Sequence, residues 1–429
     1  KKVSSNQRSR VANDQSHTPR FRLPQHMPDL HQDTPEDTEV CSSTPVFMEN
    51  DLGKLFEIIP GRLSFTIHRD DDQTRQCIVE YKSLFFFSSW EHESYEPFCS
   101  DFGPVNIASV VDFCSTIRNK MNEPRLAKRH LVFYCAANQA HSTNALFLFG
   151  TYLVLELNWS PEKAAKHLST FHPSLFTPFR DATHAPSTFD LRLLDCLRGL
   201  YRAVEAGIFD LHGFDMDLYD TLDDFGFMQV VCPKFIAFPG PKDHCTQQFD
   251  FPPQHYVETF RDLGVSAVVR LNEPEYSKKE FERAGFKHHD LYFDDCTSPT
   301  LEQVVKFLQI CDDESGAIAV HCMAGLGRTG SMIACWMMRE YGWTARETIA
   351  WLRIVRPGMV IGPQQHFLEM MELQIHPSRT GEIEALLETS PFFGRAANAK
   401  YSEELAAQVS AGKDKRCAMR QGGSDLPAA

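Results

Sequence analysis

Val320-His321-Cys322-Met323-Ala324-Gly325-Leu326-Gly327-Arg328-Thr329-Gly330 is the stretch around which the rest of the chain is organised. The apolar residues 317–320 precede it, and an apolar segment with helical spacing, residues 331–341, follows it. This order predicts a strand, a tight loop and the N-terminus of a helix. The glycines allow the loop backbone to curl until its N–H groups converge with the helix N-terminus on one point. The stretch therefore predicts a cradle for a phosphate group.

Two residues at the ends of this loop give the cradle its chemistry. The Cys322 thiolate would attack phosphorus as the nucleophile, and the planar Arg328 guanidinium would bind two equatorial phosphate oxygens. Both are therefore predicted catalytic residues. The other residues of the predicted phosphate-binding loop are His321, Met323, Ala324, Gly325, Leu326, Gly327 and Gly330. The string resembles the signature of cysteine-dependent protein phosphatases.

Composition places the chain among globular proteins. The length of 429 residues suggests roughly two to three domains with large cores, and the hydrophobic fraction of 42% is typical of globular proteins. The formal charge of −14 at pH 7 disfavours nucleic acid as a main partner and favours a basic substrate. The 13 cysteines lack both the paired spacing of a zinc site and the regular framework of a small secreted module, so we expect a reducing compartment. We expect neither a metal nor another cofactor. The longest apolar run, residues 145–155, is too short to span a bilayer, so we expect no membrane insertion.

Alternating strand and helix patterns predict two α/β units. In the first unit we expect strands at 62–67, 84–88 and 131–134 and helices at 105–121 and 143–157. In the second we expect strands at 235–238, 265–271, 289–293 and 317–320 and helices at 254–263 and 300–311. Apolar residues at helical spacing predict a linking helix over 187–205.

The domain organisation follows from these patterns and from two polar ends. The predicted ranges are 1–50, a disordered leader; 51–186, a catalytically inactive phosphatase-like domain; 187–233, the linking helix and an acidic connector; 234–378, the catalytic domain; and 379–429, a mobile C-terminal tail.

The two α/β units read as copies of one another. In the first, Cys135 is followed by an apolar helix and then by Asn158-Trp159-Ser160, as Cys322 is followed by a helix and then by Gly342-Trp343-Thr344. The first loop, residues 136–144, has neither glycine nor arginine, so it cannot hold a phosphate. We interpret the first unit as a catalytically dead duplicate in which Cys135 is a core or loop cysteine. Chance similarity between two α/β units is the alternative.

A phosphoserine or phosphothreonine ester needs a general acid, because its alkoxide leaves poorly without a proton. The loop after residues 289–293 offers Asp294 and Asp295. It follows the carboxyl end of a predicted strand, where the active-site loops of α/β sheets gather. Thr300 and Gln303 then predict a capping box for the next helix.

Four further residues are candidate parts of the site. Thr329 can donate its hydroxyl to Cys322 and stabilise the thiolate. His321 is expected to order the loop through hydrogen bonds. In the rigid segment 356–365, the amides of Gln364 and Gln365 would place the water that hydrolyses a phosphocysteine. A capped turn before a helix is the alternative for that segment.

Several stretches together resemble the cell-division-cycle-fourteen family of proline-directed dual-specificity phosphatases. They are FIAFPGP at 235–241, VVRLN at 268–272, AGF at 284–286, the loop at 321–330, ETIAW at 347–351 and the segment 356–365. The resemblance covers about residues 50–375. It implies an α/β fold of two dual-specificity-phosphatase-like domains, with only the second active and the substrate peptide in a groove at their junction. It also implies that the general acid is Asp295, with Asp294 as its neighbour.

The same resemblance implies a substrate class and a cellular role. It implies phosphoserine before proline with a basic residue further along, as in sites made by cyclin-dependent kinases, and a function in cell-cycle or mitotic exit control. Acidic residues at the junction would complement such substrates, and Asp215, Asp217 and Asp220 are candidates. A solvated acidic face is the alternative. The expected partners are phosphorylated proteins, in the nucleus and cytoplasm, with the nucleolus, centrosome or basal body, and spindle as further places. The oligomeric state stays open.

Two other functions use the same elements. A phosphoinositide or RNA-cap phosphatase could use this cradle, but its additional phosphates would favour lysines within the loop, where Met323 and Leu326 are apolar. The family's loop has a lysine where this chain has Met323, so a charge near the phosphate is missing. A phosphopeptide-binding module would normally lack the cysteine, the arginine or the acid, and this chain has all three.

Overall fold

The computed structural model describes residues 52–88, 95–171, 176–184, 186–245 and 250–375. The predicted leader at 1–50 and the predicted tail at 379–429 lie outside these ranges, so both stay predictions.

The first unit is a four-stranded sheet flanked by helices. Its strands are β1 (Phe56–Ile59), β2 (Leu63–His68), β3 (Leu84–Phe87) and β4 (His130–Ala136), in the spatial order β1-β2-β4-β3. β1 is antiparallel to β2, and the other pairs are parallel. The helices are α1 (Asp71–Glu80), α2 (Ile107–Asn122), α3 (Gln139–Leu155), α4 (Pro161–Leu168) and α5 (Leu193–Glu205).

The second unit has a five-stranded sheet. Its strands are β5 (Gln229–Cys232), β6 (Phe235–Phe238), β7 (Val265–Arg270), β8 (Lys287–Asp290) and β9 (Ala317–His321), in the order β5-β6-β9-β7-β8. The helices are α6 (Met216–Gly226), α7 (Pro253–Asp262), α8 (Lys279–Arg283), α9 (Leu301–Asp313), α10 (Gly327–Tyr341), α11 (Ala345–Val355) and α12 (Pro363–Ile375). Because β9 is the central strand, its carboxyl end delivers Cys322 to the middle of one edge of the sheet.

The predicted fold class is confirmed, and most predicted elements are present with shifts of a few residues. The predicted capping box of Thr300 and Gln303 is also confirmed at the start of α9. The domain boundaries stay predictions, although β5 already joins the second sheet within the range assigned to the connector. The elements that were not predicted are β1, β5, α1, α4, α6, α8 and α11.

Two predicted elements are placed wrongly. The strand expected at 289–293 is β8 at Lys287–Asp290, because the ladder ends where β7 ends, although the buried Leu291 and Phe293 continue the apolar alternation. The linking helix begins at Leu193 rather than at 187, because Leu191 is still extended and pairs with Phe179 in an isolated bridge.

Strand register supports the duplication. In both units the first strand is antiparallel to the second and contains a register shift at the same point. At the start of the central strand, the N–H of Leu131 donates to Arg62 O, and the N–H of Ile318 donates to Lys234 O. Four residues beyond Leu131 is Cys135, and four beyond Ile318 is Cys322. The two cysteines therefore occupy equivalent positions, as predicted from the similar sequences of the two units.

The helices that follow the two cysteines, α3 and α10, have similar C-terminal turns but different N-terminal connections to their strands. Asn158 and Gly342 both have a positive φ, and each is followed by tryptophan and by a Ser or Thr cap of the next helix. In the first unit, however, β4 continues past Cys135 to Ala136, and Asn138 caps α3 directly. No room is left for a phosphate loop, so Cys135 stays buried in the core.

α5 belongs structurally to both units. It packs against α3 and α4 of its own unit, as α12 packs against α10 and α11, and its other face packs against α11 of the second unit. Gly199 lies at the crossing of α5 and α11, where a Cβ would clash with Glu347 O and lie 2.9 Å from Ala350 Cβ. The side chains of Arg202 and Arg346 form ion pairs across the same contact.

We expect Gly199→Ala to destabilise the protein by about 1–3 kcal/mol, because the added methyl would force α5 and α11 apart. In an exposed helix the same change would stabilise by roughly 1 kcal/mol through helix propensity. Urea denaturation followed by circular dichroism measures the difference.

Gly150→Ala in α3 is the matched control. Its Cβ would meet Leu197 Cδ2 at 2.8 Å, which is the end of a side chain that can rotate away, so we expect a smaller loss. A stability of Gly199→Ala equal to that of the wild type would contradict the close helix contact.

Candidate active site

The predicted phosphate-binding loop lies where the central strand of the second sheet ends. β9 ends at His321, residues 322–326 form the loop, and α10 begins at Gly327. Gly325 has φ +67°, and a Cβ there would clash with Phe238 O on the neighbouring strand. At Gly330 a Cβ would lie 2.9 Å from Val360 Cγ2. Close packing on both sides therefore requires these two glycines.

Arg356, the residue after α11, fixes the loop by binding two of its backbone carbonyls. Its Nε donates to Gly325 O and its Nη2 to Ala324 O, both at 2.9 Å. Its Nη1 donates to Phe227 O at 2.5 Å and to the Gln229 side chain. Since the C=O and N–H of a trans peptide point to opposite sides, the amide N–H groups that follow these two carbonyls point away from Arg356. This arrangement turns them toward the face where an oxyanion would bind.

Cys322 and Arg328 are both buried at this loop, with 3% and 1% of their surfaces exposed. Arg328 Nη1 donates to Phe293 O at 3.0 Å, and Nη2 lies 3.1 Å from Asp295 Oδ1. Among the residues that the structure describes, Nε has no acceptor, and Nη2 forms an ion pair with Asp295 without hydrogen-bond geometry. Because a buried charge with unused donors is costly, these N–H groups fit the oxygens of a phosphoryl group.

The two candidate acids point in different directions. Asp295 Oδ1 faces Arg328, and its side chain is 59% exposed at the mouth of the loop. Asp294 accepts a hydrogen bond from the Tyr292 hydroxyl at 2.7 Å on the outer surface. The structure thus brings Asp295, and not Asp294, to Arg328.

His321 lies at the start of a buried hydrogen-bond chain. Its Nδ1 is 2.9 Å from Cys322 O and its Nε2 is 2.8 Å from the Tyr276 hydroxyl, which is 2.7 Å from His288 Nε2. Burial lowers the pKa of His321 to about 3, so the ring is neutral at pH 7. Because a carbonyl only accepts, Nδ1 carries the proton and Nε2 accepts from Tyr276. His321 therefore orders the backbone at Cys322 and does not carry a proton to the substrate.

The remaining predicted residues are placed unequally. Thr329 is buried, and its hydroxyl has no hydrogen-bond partner in the described part of the chain, which leaves it free to donate to the Cys322 thiolate as predicted. Gln364 Oε1 would lie 2.9 Å from a Cβ at Gly327, and Gln364 Nε2 donates to Thr297 O in the acid loop at 3.0 Å. Gln365 instead accepts from Arg353 at 2.6 Å and donates to Gly362 O. Gln364 is therefore the better placed of the two amides.

The acidic connector forms α6, which runs beside the catalytic loop. Its C-cap, Phe227, binds Arg356, and Tyr219 donates to Val355 O at 2.9 Å. Asp217 and Asp220 are exposed on this helix, whereas Asp215 is its N-cap and accepts from the N–H of Leu218 at 2.9 Å. Partial burial, with Asp224 and Asp217 nearby, raises the pKa of Asp220.

The described residues show neither a metal site, nor a membrane-spanning helix, nor a disulfide bond. They contain no group of three or more His, Cys, Asp or Glu side chains that could hold a metal ion. No helix among them is long and apolar enough to cross a membrane. The cysteines within these ranges form no disulfide bond.

Comparison with known proteins finds two families and a set of relatives. Residues 57–203 match the family described as dual specificity protein phosphatase, N-terminal half, and residues 253–375 match the dual specificity phosphatase catalytic domain. The chain is 40% identical over 299 residues to human dual specificity protein phosphatase CDC14C, covering 68% of this chain and 67% of that protein. The chain belongs to the CDC14 family of dual specificity phosphatases.

Two further CDC14 relatives are longer than this chain. Human CDC14A is 40% identical over 321 residues, covering 70% of this chain and 54% of that protein. The Caenorhabditis elegans tyrosine-protein phosphatase cdc-14 is 35% identical over 325 residues, covering 73% of this chain and 46% of that protein. The chain thus spans about half the length of these two relatives.

Sequence reasoning assigned no role to three residues of this CDC14-type site. These residues are Arg356, which belongs to the predicted rigid segment 356–365, Tyr276 and Phe98. Phe98 comes from the first unit, and a Cβ at Gly358 would lie 2.8 Å from its ring. An arginine directly before Pro357 at a helix end was the available signal for Arg356. For Phe98 no local pattern existed.

We expect Arg356→Ala to lower kcat about a hundredfold and to weaken inhibition by inorganic phosphate, because the loop amides lose their fixed direction. Steady-state kinetics with an aryl phosphate and with added phosphate measures both effects. Arg346→Ala, which removes ion pairs on α11 without a contact to the loop, should leave kcat unchanged. Unchanged phosphate inhibition in Arg356→Ala would show that the loop is rigid without the Arg356 side chain.

Proposed function

We propose that the second unit hydrolyses phosphate esters of serine, threonine and tyrosine in proteins through a phosphocysteine intermediate. The observation that carries the proposal is the buried Arg328 guanidinium, with unused donors, in the same loop as Cys322. Membership of the CDC14 family supports this chemistry, and the names of the relatives include both dual specificity and tyrosine phosphatase.

In the first step, the Cys322 thiolate attacks phosphorus, and the bond from phosphorus to the ester oxygen breaks. The electron pair of that bond goes to the departing oxygen, which takes a proton from the Asp295 carboxyl group. Arg328 and the loop amides bind the equatorial oxygens, where charge develops in the transition state. The exposed position of Asp295 at the mouth of the loop suits it to reach the leaving group.

In the second step, a water molecule attacks phosphorus while the bond to sulfur breaks, and the electron pair returns to Cys322. The Asp295 carboxylate takes the proton of the water, and Gln364 holds the water through its side-chain amide. The Thr329 hydroxyl stabilises the departing thiolate. Inorganic phosphate is then released.

For the substrate, we propose phosphoserine before proline with a basic residue further along. The exposed Asp217 and Asp220 form an anionic face on α6, the helix whose C-cap Phe227 binds Arg356, and their mutual repulsion would be relieved by a lysine or arginine. The exposed ring of Phe98, next to Gly358, offers an apolar surface for the proline. For such substrates we also propose a role in cell-cycle control and action in the nucleus and cytoplasm.

The phosphoinositide alternative has less support. Met323 is 51% exposed at the rim of the loop, where a polyphosphorylated ligand would be met by an apolar side chain instead of a cation. No observation favours the binding module, because Cys322, Arg328 and Asp295 lie together.

We expect Asp295→Asn to lower turnover of a phosphoserine peptide far more than that of p-nitrophenyl phosphate, whose leaving group needs no proton. A loss of about a hundredfold or more on the peptide is the size expected for a general acid. The ratio of kcat/KM for the two substrates measures the effect.

Three variants calibrate that ratio. Cys322→Ser should be inactive on both substrates, and Cys135→Ser should be active on both, since Cys135 lies in the core of the other unit. Asp294→Asn should keep the wild-type ratio. Equal losses on the two substrates in Asp295→Asn would contradict its role as the acid, and an active Cys322→Ser would refute the proposed function.

We expect replacement of either the proline or the lysine by alanine, in a peptide with phosphoserine, proline and a lysine three residues on, to lower kcat/KM about tenfold. In the double variant Asp217→Asn and Asp220→Asn, the lysine preference should fall and the proline preference should remain. Asp72→Asn on the exposed helix α1 should change neither. An unaltered lysine preference in the double variant would remove α6 from the substrate site.

A further inference from the structure

The segment that carries Gln364 adopts an unusual backbone. Between α11 and α12, Gly358, Val360 and Gly362 all have a positive φ, of +82°, +62° and +56°. For Val360 this conformation is strained, because its β-branched side chain crowds the backbone in the left-handed region. A strained segment persists only where surrounding contacts hold it.

Contacts from the catalytic unit hold the first part of this segment. Arg353 donates from Nε to Met359 O at 3.0 Å and from Nη2 to Val360 O at 2.8 Å. The N–H of Val360 donates to Leu326 O at 3.4 Å, which is a long bond. These contacts do not reach Gly362, the residue that precedes α12 and its Gln364.

Gly362 has a partner in each unit: Gln365 Nε2 of its own unit donates to Gly362 O at 3.1 Å, and the first unit binds its N–H. Its N–H donates to Asp181 Oδ2 at 2.7 Å, the distance of a strong, charge-assisted hydrogen bond. Asp181 is buried in the chain between α4 and α5, two residues after the bridge formed by Phe179. A carboxylate of the unit without a phosphate loop therefore fixes the backbone beside the amide that places water.

The charge of Asp181 also acts on Arg353 across the same boundary. Burial lowers the pKa of Arg353, and the charge of Asp181 is the largest influence that opposes this shift. Nη1 of Arg353 has no hydrogen-bond partner within the described ranges. Arg353 Nη2 also binds Gln365, the neighbour of Gln364. Asp181 thus acts on the segment directly through Gly362 and indirectly through Arg353.

We propose that Asp181 is a positioning residue for the second chemical step, which holds the segment 359–364 so that Gln364 can place the water that hydrolyses the phosphocysteine. The inference rests on the function proposed above and assigns the first unit a part in it. Water attacks phosphorus, the bond to Cys322 sulfur breaks with its electron pair going to sulfur, and Asp295 accepts the proton. Asp181 itself touches neither the substrate nor the water.

The test is stopped-flow kinetics of the full chain carrying Asp181→Asn, with p-nitrophenyl phosphate as the probe. The first step should proceed normally and the second should slow about tenfold to a hundredfold, the size of effect that a misplaced reacting group can have. We therefore expect a burst of nitrophenol, a fall in kcat and KM together, and an unchanged kcat/KM, which reports only the steps through departure of the leaving group. Acid quenching should trap phosphate on Cys322.

Controls separate positioning from a structural effect. Asp195→Asn removes a carboxylate of the same unit that contacts Arg346 across the boundary, and it should behave as the wild type. Gln364→Ala should reproduce the burst, and the double variant with Asp181→Asn should be no worse than Gln364→Ala alone. If Asp181→Asn does not fold, Asp181→Glu keeps the charge but displaces the carboxylate, and the same burst is expected.

The outcomes are distinct from failure of the proposed function. A wild-type chain that releases no phosphate would end the proposed function before any variant is compared. With an active wild type, equal losses in kcat and kcat/KM without a burst would make Asp181 merely structural. Unchanged kinetics in both Asp181 variants would equally overturn the inference.

Discussion

The arrangement of the catalytic unit depends on one buried guanidinium, that of Arg328, whose contacts with Phe293 and Asp295 leave N–H donors unused. Arg328 is almost fully enclosed, yet part of its hydrogen-bonding capacity has no acceptor among the described residues. Such a group is unstable unless the surrounding chain is rigid enough to prevent it from turning elsewhere. The first turn of α10 supplies that rigidity on one side. On the other, Arg356 binds the carbonyls of the loop and commits its amides to the opposite face.

The two units show how one scaffold holds or lacks a site. They share strand order, register and the positions of Cys135 and Cys322. They differ in the few residues between the central strand and the following helix: a five-residue, glycine-containing loop in one unit and a direct helix cap in the other. The fold alone therefore says little about chemistry, which depends on what the backbone does after the central strand.

Local signals in the sequence were enough for the main features and failed where long-range contacts decide. The pattern of glycine, cysteine and arginine predicted the loop, and apolar periodicity predicted most strands and helices. The end of β8 was wrong because pairing with β7, not the apolarity of Leu291 and Phe293, decides where the ladder stops. Gln364 and Gln365 looked equivalent, but Arg353 binds Gln365, whereas Gln364 contacts the acid loop at Thr297. The contact between Asp181 and Gly362 joins residues 181 positions apart, so no local pattern could reveal it.

The packing of α5 against both units has a consequence for synthesis on the ribosome. Translation completes this helix, and with it the first unit, well before α11 has been made. During that interval the face of α5 around Gly199, which later packs on α11, is bare to water. The nascent chain therefore passes through a stage in which an aggregation-prone surface is exposed. Chaperones would have their greatest effect between the emergence of the first unit and that of α11.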